Sequence, residues 1–397
     1  MIPVPAPDRT SRSATAALFV TVVIDLIGFG IVLPLLPGYA ARFAVSETSI
    51  GIVVGSFSLM QFLFAPWWGR LSDRIGRRPV ILIGLAGSSL SYLLFAFAGN
   101  YWILLLSRLL AGGMGATVNV AQAYLADVAP VERRARAMGL LGAAFGLGFV
   151  MGPAIAGITV SWGSRAPGLT AAIISLASFT LAWVRLPETR VHLPANPAGQ
   201  AVDWRRLAAP YSVMFLLVLA FTLMHVVFPL YSERTLRYDQ RTTSYFFVVL
   251  GLVSAIIQGW LIGGLSHRFN EHALMVAGGG LLATGLVLIP LTNAYLDVTL
   301  QLPGLLTAIV CIAIGSGLAM PSITGFVSRI TPANRQGAAL GSLQSIGSVA
   351  RIVGPAASGL MTEVAGERTA FLTGAGIALA GMVVAILARE PPGTGPG

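Results

Sequence analysis

The sequence contains no lysine and a single cysteine, and only 10% of its residues are charged. A soluble domain carries about 25% charged residues, so this composition excludes a soluble protein. The absence of lysine excludes a P-loop, whose lysine reaches the phosphates of a bound nucleotide. The lone Cys311 excludes a disulfide framework and a cysteine-rich metal site. We therefore expect neither a cofactor nor a metal.

The residues that are present indicate a membrane protein. Hydrophobic residues make up 55% of the chain, and its mean hydropathy is +0.80. The charges form short clusters between apolar stretches of about 20 residues, the length that spans a bilayer. The net charge of +10 comes from arginines in these clusters, so a nucleic-acid partner is not expected. The first apolar stretch is a full span, and we expect no cleavable signal.

Hydropathy and turn residues predict twelve membrane-spanning helices, an all-α fold of two pseudo-symmetric six-helix bundles. We expect an N-terminal bundle over residues 1–186, a cytoplasmic linker over 187–209 and a C-terminal bundle over 210–397. Placing both termini in the cytoplasm puts 17 arginines in inner segments and 6 in outer ones. The positive-inside rule favours this topology in the cell (inner) membrane. The predicted spans cover 14–37, 48–71, 78–98, 101–126, 134–160, 165–186, 210–232, 242–265, 272–292, 300–327, 335–362 and 366–388.

Short motifs recur in the two halves of the chain. Residues 69–79 form a polar turn with five charges between two spans, and a degraded copy occupies 263–270. Residues 127–139 match 329–341, and Gly152-Pro153 matches Gly354-Pro355, both at an offset of 202. Matches in the same order indicate an internal duplication, as many secondary transporters have.

These motifs make the chain similar, over nearly its whole length, to a transporter of the major facilitator superfamily. Residues 69–78 resemble the loop 2–3 signature of that family, and 108–115 resemble its span 4 signature. Residues 148–157 resemble the span 5 signature of drug:proton antiporters, and 25–37 resemble span 1 of the tetracycline-resistance-like branch. The resemblance implies the major facilitator fold and export of a small molecule.

The loop 2–3 turn is predicted to act as a conformational latch. Gly69 and Gly76 allow close backbone approach. By the resemblance, Asp73 faces the N-terminus of span 11 and Arg77 pairs with Asp127. In the second copy, His267 and Glu271 replace Asp73 and Arg77, so we expect a latch in the first half only. The alternative is a static loop that only keeps arginines inside. The latch residues are Gly69, Asp73, Arg74, Gly76, Arg77 and Asp127.

Span 5 contains a packing motif of Gly148, Gly152, Pro153 and Gly157. Small residues let helices approach closely in lipid, where no hydrophobic force draws them together. Pro153 removes a backbone donor and permits a bend. We expect this span to pack tightly at the interface between the halves.

Four ionisable residues lie deep in predicted spans: Asp25, Arg108, His225 and Arg351. A charge at the bilayer centre costs about 2.5–3.5 kcal/mol on insertion scales, so each should face a cavity or a partner. We predict that Asp25 carries the coupling proton, and that movement of Arg108 changes its proton affinity. The alternatives are a permanent Asp25–Arg108 salt bridge and a carboxylate that only binds cationic substrate. His225 is a second proton-coupling candidate, although a lone histidine on an apolar helix is more often a core residue.

Polar residues within spans are predicted to line the substrate cavity, because an apolar pocket with a few polar groups suits amphipathic compounds. For Arg351 we also consider, in this order, a bond to backbone carbonyls, a partner for a carboxylate, and a ligand for an anionic substrate. The predicted cavity residues are Gln61, Asn119, Gln122, Tyr124, Gln258, Gln344 and Arg351.

Together these features predict a secondary transporter, not an enzyme: a proton-coupled exporter of small amphipathic drugs or antibiotics that works by alternating access. Its expected partners are a small-molecule substrate, protons and membrane lipids, and we expect a monomer. One alternative is an organic-anion exchanger or symporter that uses Arg108 and Arg351. Another is a non-transporting membrane receptor or scaffold.

Overall fold

The structure is a computed structural model that describes residues 9–115, 117–128, 134–188, 204–332 and 335–388. These residues form fifteen α-helices and no strand, and the predicted all-α membrane fold is confirmed. The helices are α1 Arg9–Val32, α2 Leu36–Ala41, α3 Glu47–Ile75, α4 Arg77–Ala96, α5 Tyr101–Met114, α6 Thr117–Val128, α7 Arg134–Thr159, α8 Ala166–Arg185, α9 Trp204–Arg234, α10 Gln240–Ile256, α11 Ile262–Arg268, α12 Glu271–Tyr295, α13 Val298–Ile330, α14 Gln336–Ala365 and α15 Glu367–Leu387.

Three predicted spans consist of two helices each, because the regular α-helix is interrupted within them. Pro34 lies between α1 and α2, where a proline cannot donate the next helical hydrogen bond. The turn at Gly115 separates α5 from α6. A π-helical turn, Ile257–Leu261, joins α10 to α11.

Eleven stretches of the described helices are long and apolar enough to cross a membrane. Helix α14, the predicted span 11, is not among them although it has 30 residues. Its sequence is rich in glycine and serine and includes Gln344 and Arg351, which lower its hydropathy. Such a helix needs neighbours that cover its polar positions, so its place is inside a bundle.

Contacts divide the chain into two compact units, residues 1–35 with 59–194 and residues 36–58 with 195–397. Most of the predicted linker, 189–203, lies outside the described residues. The domain boundaries drawn from the sequence therefore stay a prediction.

In the second unit, the first part of α3 packs against α14 at backbone distance. A Cβ built on Gly55 would lie 2.7 Å from the carbonyl oxygen of Ile352. At the end of this contact, Thr48 donates its hydroxyl hydrogen to Glu363 at 2.6 Å. Small residues therefore allow these two helices to touch along their backbones.

In the first unit, α1 packs against α7 through glycines of the span 5 motif. A Cβ built on Gly152 would lie 2.5 Å from the Cα of Gly30, and one on Gly148 would lie 2.6 Å from the Cβ of Leu26. Pro153 and Gly157 are also buried in α7. This face of span 5 therefore fixes α1, the helix that contains Asp25. Its predicted position at the interface between the halves stays a prediction.

The α1–α7 contact predicts that Gly152→Ala destabilises the protein. The new methyl group would meet backbone atoms of Gly30, which cannot rotate away as a side chain can. Overpacking of this kind lowers the free energy of unfolding by about 1–3 kcal/mol. Thermal unfolding of the purified protein in detergent measures the change.

Gly376→Ala is the matched control, because no described atom lies within 4 Å of a Cβ built on that α15 glycine. This variant should unfold at the wild-type temperature or slightly above it, since alanine favours a helix. Equal unfolding temperatures for Gly152→Ala and the wild type would contradict the packing we describe.

Candidate functional site

Ionisable and hydroxyl side chains from four helices come together in the first unit. Asp25 lies on α1, Ser88 and Tyr92 on α4, Arg108 on α5 and Thr117 on α6. Tyr92 is 4% exposed and Arg108 is 3% exposed, so protein atoms enclose both the phenol and the guanidinium group. We call these five residues the buried polar cluster.

The Arg108 guanidinium rests on aromatic rings rather than on a carboxylate. Its Cζ lies 5.1 Å from the ring centre of Phe95 and 5.9 Å from that of Tyr92. Its Nε donates a hydrogen bond to the Ser107 hydroxyl at 3.2 Å. Cation–π attraction in a desolvated site contributes about 2 kcal/mol, which helps to hold a buried guanidinium. Its Nη2 atom has no hydrogen-bond partner among the described residues.

Asp25 is flanked by hydroxyl groups and not by Arg108. The side chains of Thr117 and Ser88 are its near polar neighbours. Its Oδ1 atom has no hydrogen-bond partner in the part of the chain that the structure describes. No ion pair joins Asp25 to Arg108, because the guanidinium lies over the rings of α4. The alternative of a permanent Asp25–Arg108 salt bridge is therefore wrong for this structure.

The loop 2–3 turn is held by charges on both sides of Gly76. Gly76 has φ +104°, a conformation that L side chains rarely adopt, and the Glu188 carboxylate packs on its bare Cα. Glu188 also accepts a hydrogen bond from the backbone N–H of Arg77 at 2.9 Å. The Arg77 side chain contacts Asp73 at 2.6 Å and the Ser72 hydroxyl at 2.6 Å.

The structure gives less information on the other predicted latch residues, Arg74, Gly69 and Asp127. Arg74 is exposed on α3. No described atom lies within 4 Å of a Cβ built on Gly69, so close approach does not explain that glycine here. The side chain of Asp127 lies outside the described residues, and its pairing with Arg77 stays a prediction.

The corresponding loop of the second half contains an ion pair of reversed polarity. Glu271, in the place of Arg77, pairs with Arg329 at 2.7 Å. Arg329 corresponds to Asp127 at the offset of 202 found in the sequence. This pair does not test the expectation of a latch in the first half only, but it shows that a charge contact is also present in the second half.

In the second unit, His225 lies among aromatic rings. Its imidazole is stacked on Phe247, with ring centres 6.2 Å apart, and meets Phe221 edge-on at 4.9 Å. Phe228 packs against Phe247 at 6.0 Å. These contacts fit a packed core histidine at least as well as a proton carrier.

The predicted cavity residues fall into two groups. Asn119, Gln122, Gln258 and Gln344 are exposed on their helices. Three others have partners: Gln61 donates to the Gly115 carbonyl at 3.5 Å, Arg351 donates to the Ser348 hydroxyl at 2.9 Å, and Tyr124 donates to the Pro187 carbonyl at 3.0 Å. The Tyr124 ring is fully buried, so this residue packs the first bundle rather than facing a solute.

Two residues that the sequence analysis does not predict belong to these sites: Tyr92 to the buried polar cluster and Glu188 to the loop 2–3 turn. Tyr92 interacts electrostatically with both Asp25 and Arg108. Glu188 caps the start of α4 from a segment that the sequence assigns to a linker. A buried tyrosine on a serine-rich helix was a visible signal for Tyr92, since buried phenols usually find a partner. Nothing in the sequence indicated the contact of Glu188.

Comparison with known proteins identifies the fold. A solved structure of a bacterial homolog of the human lysosomal transporter Spinster, in an inward-facing and occupied conformation, matches with a TM-score of 0.80 at 17% identity. The match covers 97% of this chain and 100% of that one. At this identity the likeness shows the fold alone.

Two antibiotic-resistance proteins are similar in sequence. The class C tetracycline resistance protein of Escherichia coli is 32% identical over 360 residues, which cover 87% of this chain and 88% of that protein. The quinolone resistance protein NorA of Staphylococcus aureus (strain MSSA476) is 24% identical over 380 residues, which cover 94% and 96%. The family model described as Major Facilitator Superfamily matches residues 18–306 and 294–397. With its helical fold and buried polar cluster, this membrane transporter belongs to the Major Facilitator Superfamily.

Proposed function

We propose that the protein is a proton-coupled exporter of small amphipathic compounds that works by alternating access. The observation that carries this proposal is the buried polar cluster, in which a carboxyl and a guanidinium lie in one bundle without pairing. The relatives named for resistance to tetracycline and to quinolones support export and indicate which compounds to test.

Asp25 is the residue that we assign to the proton. An unpaired carboxylate in an apolar interior is costly, and a proton removes the charge. Asp25 and Arg108 each interact electrostatically with Tyr92, and no ion pair neutralises Asp25 permanently. A modest shift of α5 relative to α1 would then change how strongly the carboxyl holds its proton.

In each unit we propose neutral amides on apolar helices as the polar groups that bind substrate. Asn119 and Gln122 in the first unit, and Gln258 and Gln344 in the second, expose polar groups on spans, where polar side chains usually face a cavity. Neutral amides can donate and accept hydrogen bonds but do not select for charge. This chemistry suits amphipathic compounds, and it favours them over obligate anions.

The energy source, location and assembly belong to the same proposal. The proton gradient would drive transport without a cofactor. We propose the cell (inner) membrane as the location, and the distribution of arginines supports both termini in the cytoplasm. We further propose a monomer, with the Asp73–Arg77 and Glu271–Arg329 pairs as latches that open and close during alternation.

The assignment of Asp25 predicts that Asp25→Asn abolishes active efflux of tetracycline and of a quinolone. Asparagine keeps the shape of the side chain but cannot bind or release the proton. In a host that lacks its own pumps, the variant should leave drug accumulation at the level of cells without the protein. Drug accumulation and minimal inhibitory concentration measure the effect, with membrane insertion checked by immunoblot.

Asp297→Asn is the matched control, because this exposed residue makes no capping hydrogen bond. It should retain wild-type efflux. Active efflux by the Asp25→Asn variant would contradict the assignment of the proton to Asp25. Transport driven by an anion gradient and independent of pH would support the organic-anion alternative instead.

The reversed ion pair predicts that opposite charges at 271 and 329 matter more than their order. Glu271→Arg or Arg329→Glu places like charges together and should slow transport about three- to fivefold, since a partly exposed pair contributes up to about 1 kcal/mol. The double variant with both changes should recover most of the wild-type rate. Initial efflux rates at equal amounts of inserted protein measure this.

Arg268→Glu controls for the loss of an inner positive charge, because Arg268 is exposed in the same loop. It should leave the transport rate unchanged. If the double variant transports no faster than the single ones, the pair is not a latch. If Arg268→Glu slows transport as much as Arg329→Glu, the loop affects transport only through the inner positive charges that orient the protein in the membrane.

A further inference from the structure

We infer that Tyr92 is a positioning residue for proton coupling: its hydroxyl connects the Asp25 carboxyl with the Arg108 guanidinium. The inference rests on the proposed function, in which Asp25 holds the proton. It adds the group through which the movement of Arg108 reaches Asp25.

The position of the Tyr92 ring is fixed from the side of α1 by Gly28. A Cβ built on Gly28 would lie 3.0 Å from Cε2 of Tyr92 and 3.4 Å from its hydroxyl oxygen. Gly28 is three residues after Asp25, so both lie on one face of α1. Because Gly28 has no side chain, the hydroxyl end of Tyr92 fits against the face of α1 that contains Asp25.

The other side of the ring faces Arg108, whose Cζ lies 5.9 Å from the ring centre. Asp25 Oδ1 and Arg108 Nη2 both lack a hydrogen-bond partner among the described residues. A phenol hydroxyl can donate one hydrogen bond and accept two. The Tyr92 hydroxyl bonds neither of these two atoms in this structure. We infer that it donates to the Asp25 carboxylate, or accepts from Arg108 when Asp25 is protonated, as the helices move.

No other ionisable group offers this connection within the described part of the first unit. The described side chains of α7, residues 143–159, and of α8 up to residue 184 include no acidic, basic or tyrosine residue. On α6, Thr117 is neutral, and the Tyr124 hydroxyl donates to the Pro187 carbonyl instead. Besides Asp25 itself, Tyr92 from α4 and Arg108 from α5 are thus the titratable and charged groups of the buried polar cluster.

Tyr92→Phe tests this role because phenylalanine keeps the ring against Gly28 and removes only the hydroxyl. The charged carboxylate would lose a donor, so Asp25 would hold its proton more firmly. The pH dependence of transport should move to higher pH by about one unit, a tenfold change in proton concentration. Tetracycline efflux from proteoliposomes, measured as rate against pH, gives the midpoint.

Tyr211→Phe is the matched control. It removes a hydroxyl that donates to the Ala339 carbonyl at 2.7 Å, within the second unit. Its pH midpoint should equal that of the wild type. Gly28→Ala is a second variant that displaces the phenol head, and it should move the midpoint in the same direction as Tyr92→Phe.

A Tyr92→Phe protein that loses rate equally at every pH, with an unmoved midpoint, would overturn the inference, since loss of packing alone gives that result. If Asp25→Asn abolishes pH-driven efflux while Tyr92→Phe and Gly28→Ala keep the wild-type profile, the proposed function stands and this inference fails. If Asp25→Asn leaves the pH dependence unchanged, the proposed function fails and this inference with it.

Discussion

The position of the Arg108 guanidinium is the constraint on which the rest of the structure depends. Two aromatic rings of α4 hold this charge inside the first bundle, so that it does not need a carboxylate as a fixed partner. Asp25 is thereby left without a counter-ion in an apolar interior. A group in that situation is stable when it binds a proton and can lose it when its surroundings change. The same two charges in a tight salt bridge would be a structural element only.

Close contacts with α7 and α8 hold α1, the helix that contains Asp25, and so fix the position of the Asp25 carboxyl. Glycines of α7 meet α1 at backbone distance, and the Ser178 hydroxyl on α8 donates to the Thr21 carbonyl on α1 at 3.0 Å. Contacts of this kind fix a helix in lipid better than long side chains do. We propose that a carboxyl on a fixed helix, in the same cluster as a guanidinium on another helix, responds to small relative movements of the two helices.

Much of this could be predicted from the sequence, because hydropathy and Arg placement report on depth along each helix. The all-α membrane fold and the positions of Asp25 and Arg108 within long helices follow from that information. Contacts between helices do not, since Gly76 meets Glu188 and Glu271 meets Arg329 across long stretches of chain. The Glu271–Arg329 pair is not visible when each charge is compared singly with its counterpart in the first half, because both residues differ from it. Tyr124 is buried although its type and position predict a cavity residue, because residue type alone does not tell which side of a helix is buried.

The central claim is that Asp25 binds and releases the coupling proton, and calorimetry tests it directly. Binding of tetracycline to the purified protein is measured in buffers of different ionisation enthalpy, which gives the number of protons exchanged on binding. We predict the release of about one proton by the wild type and of none by Asp25→Asn. Tetracycline binding by the wild type without proton release, or the same release from Asp25→Asn, would contradict it.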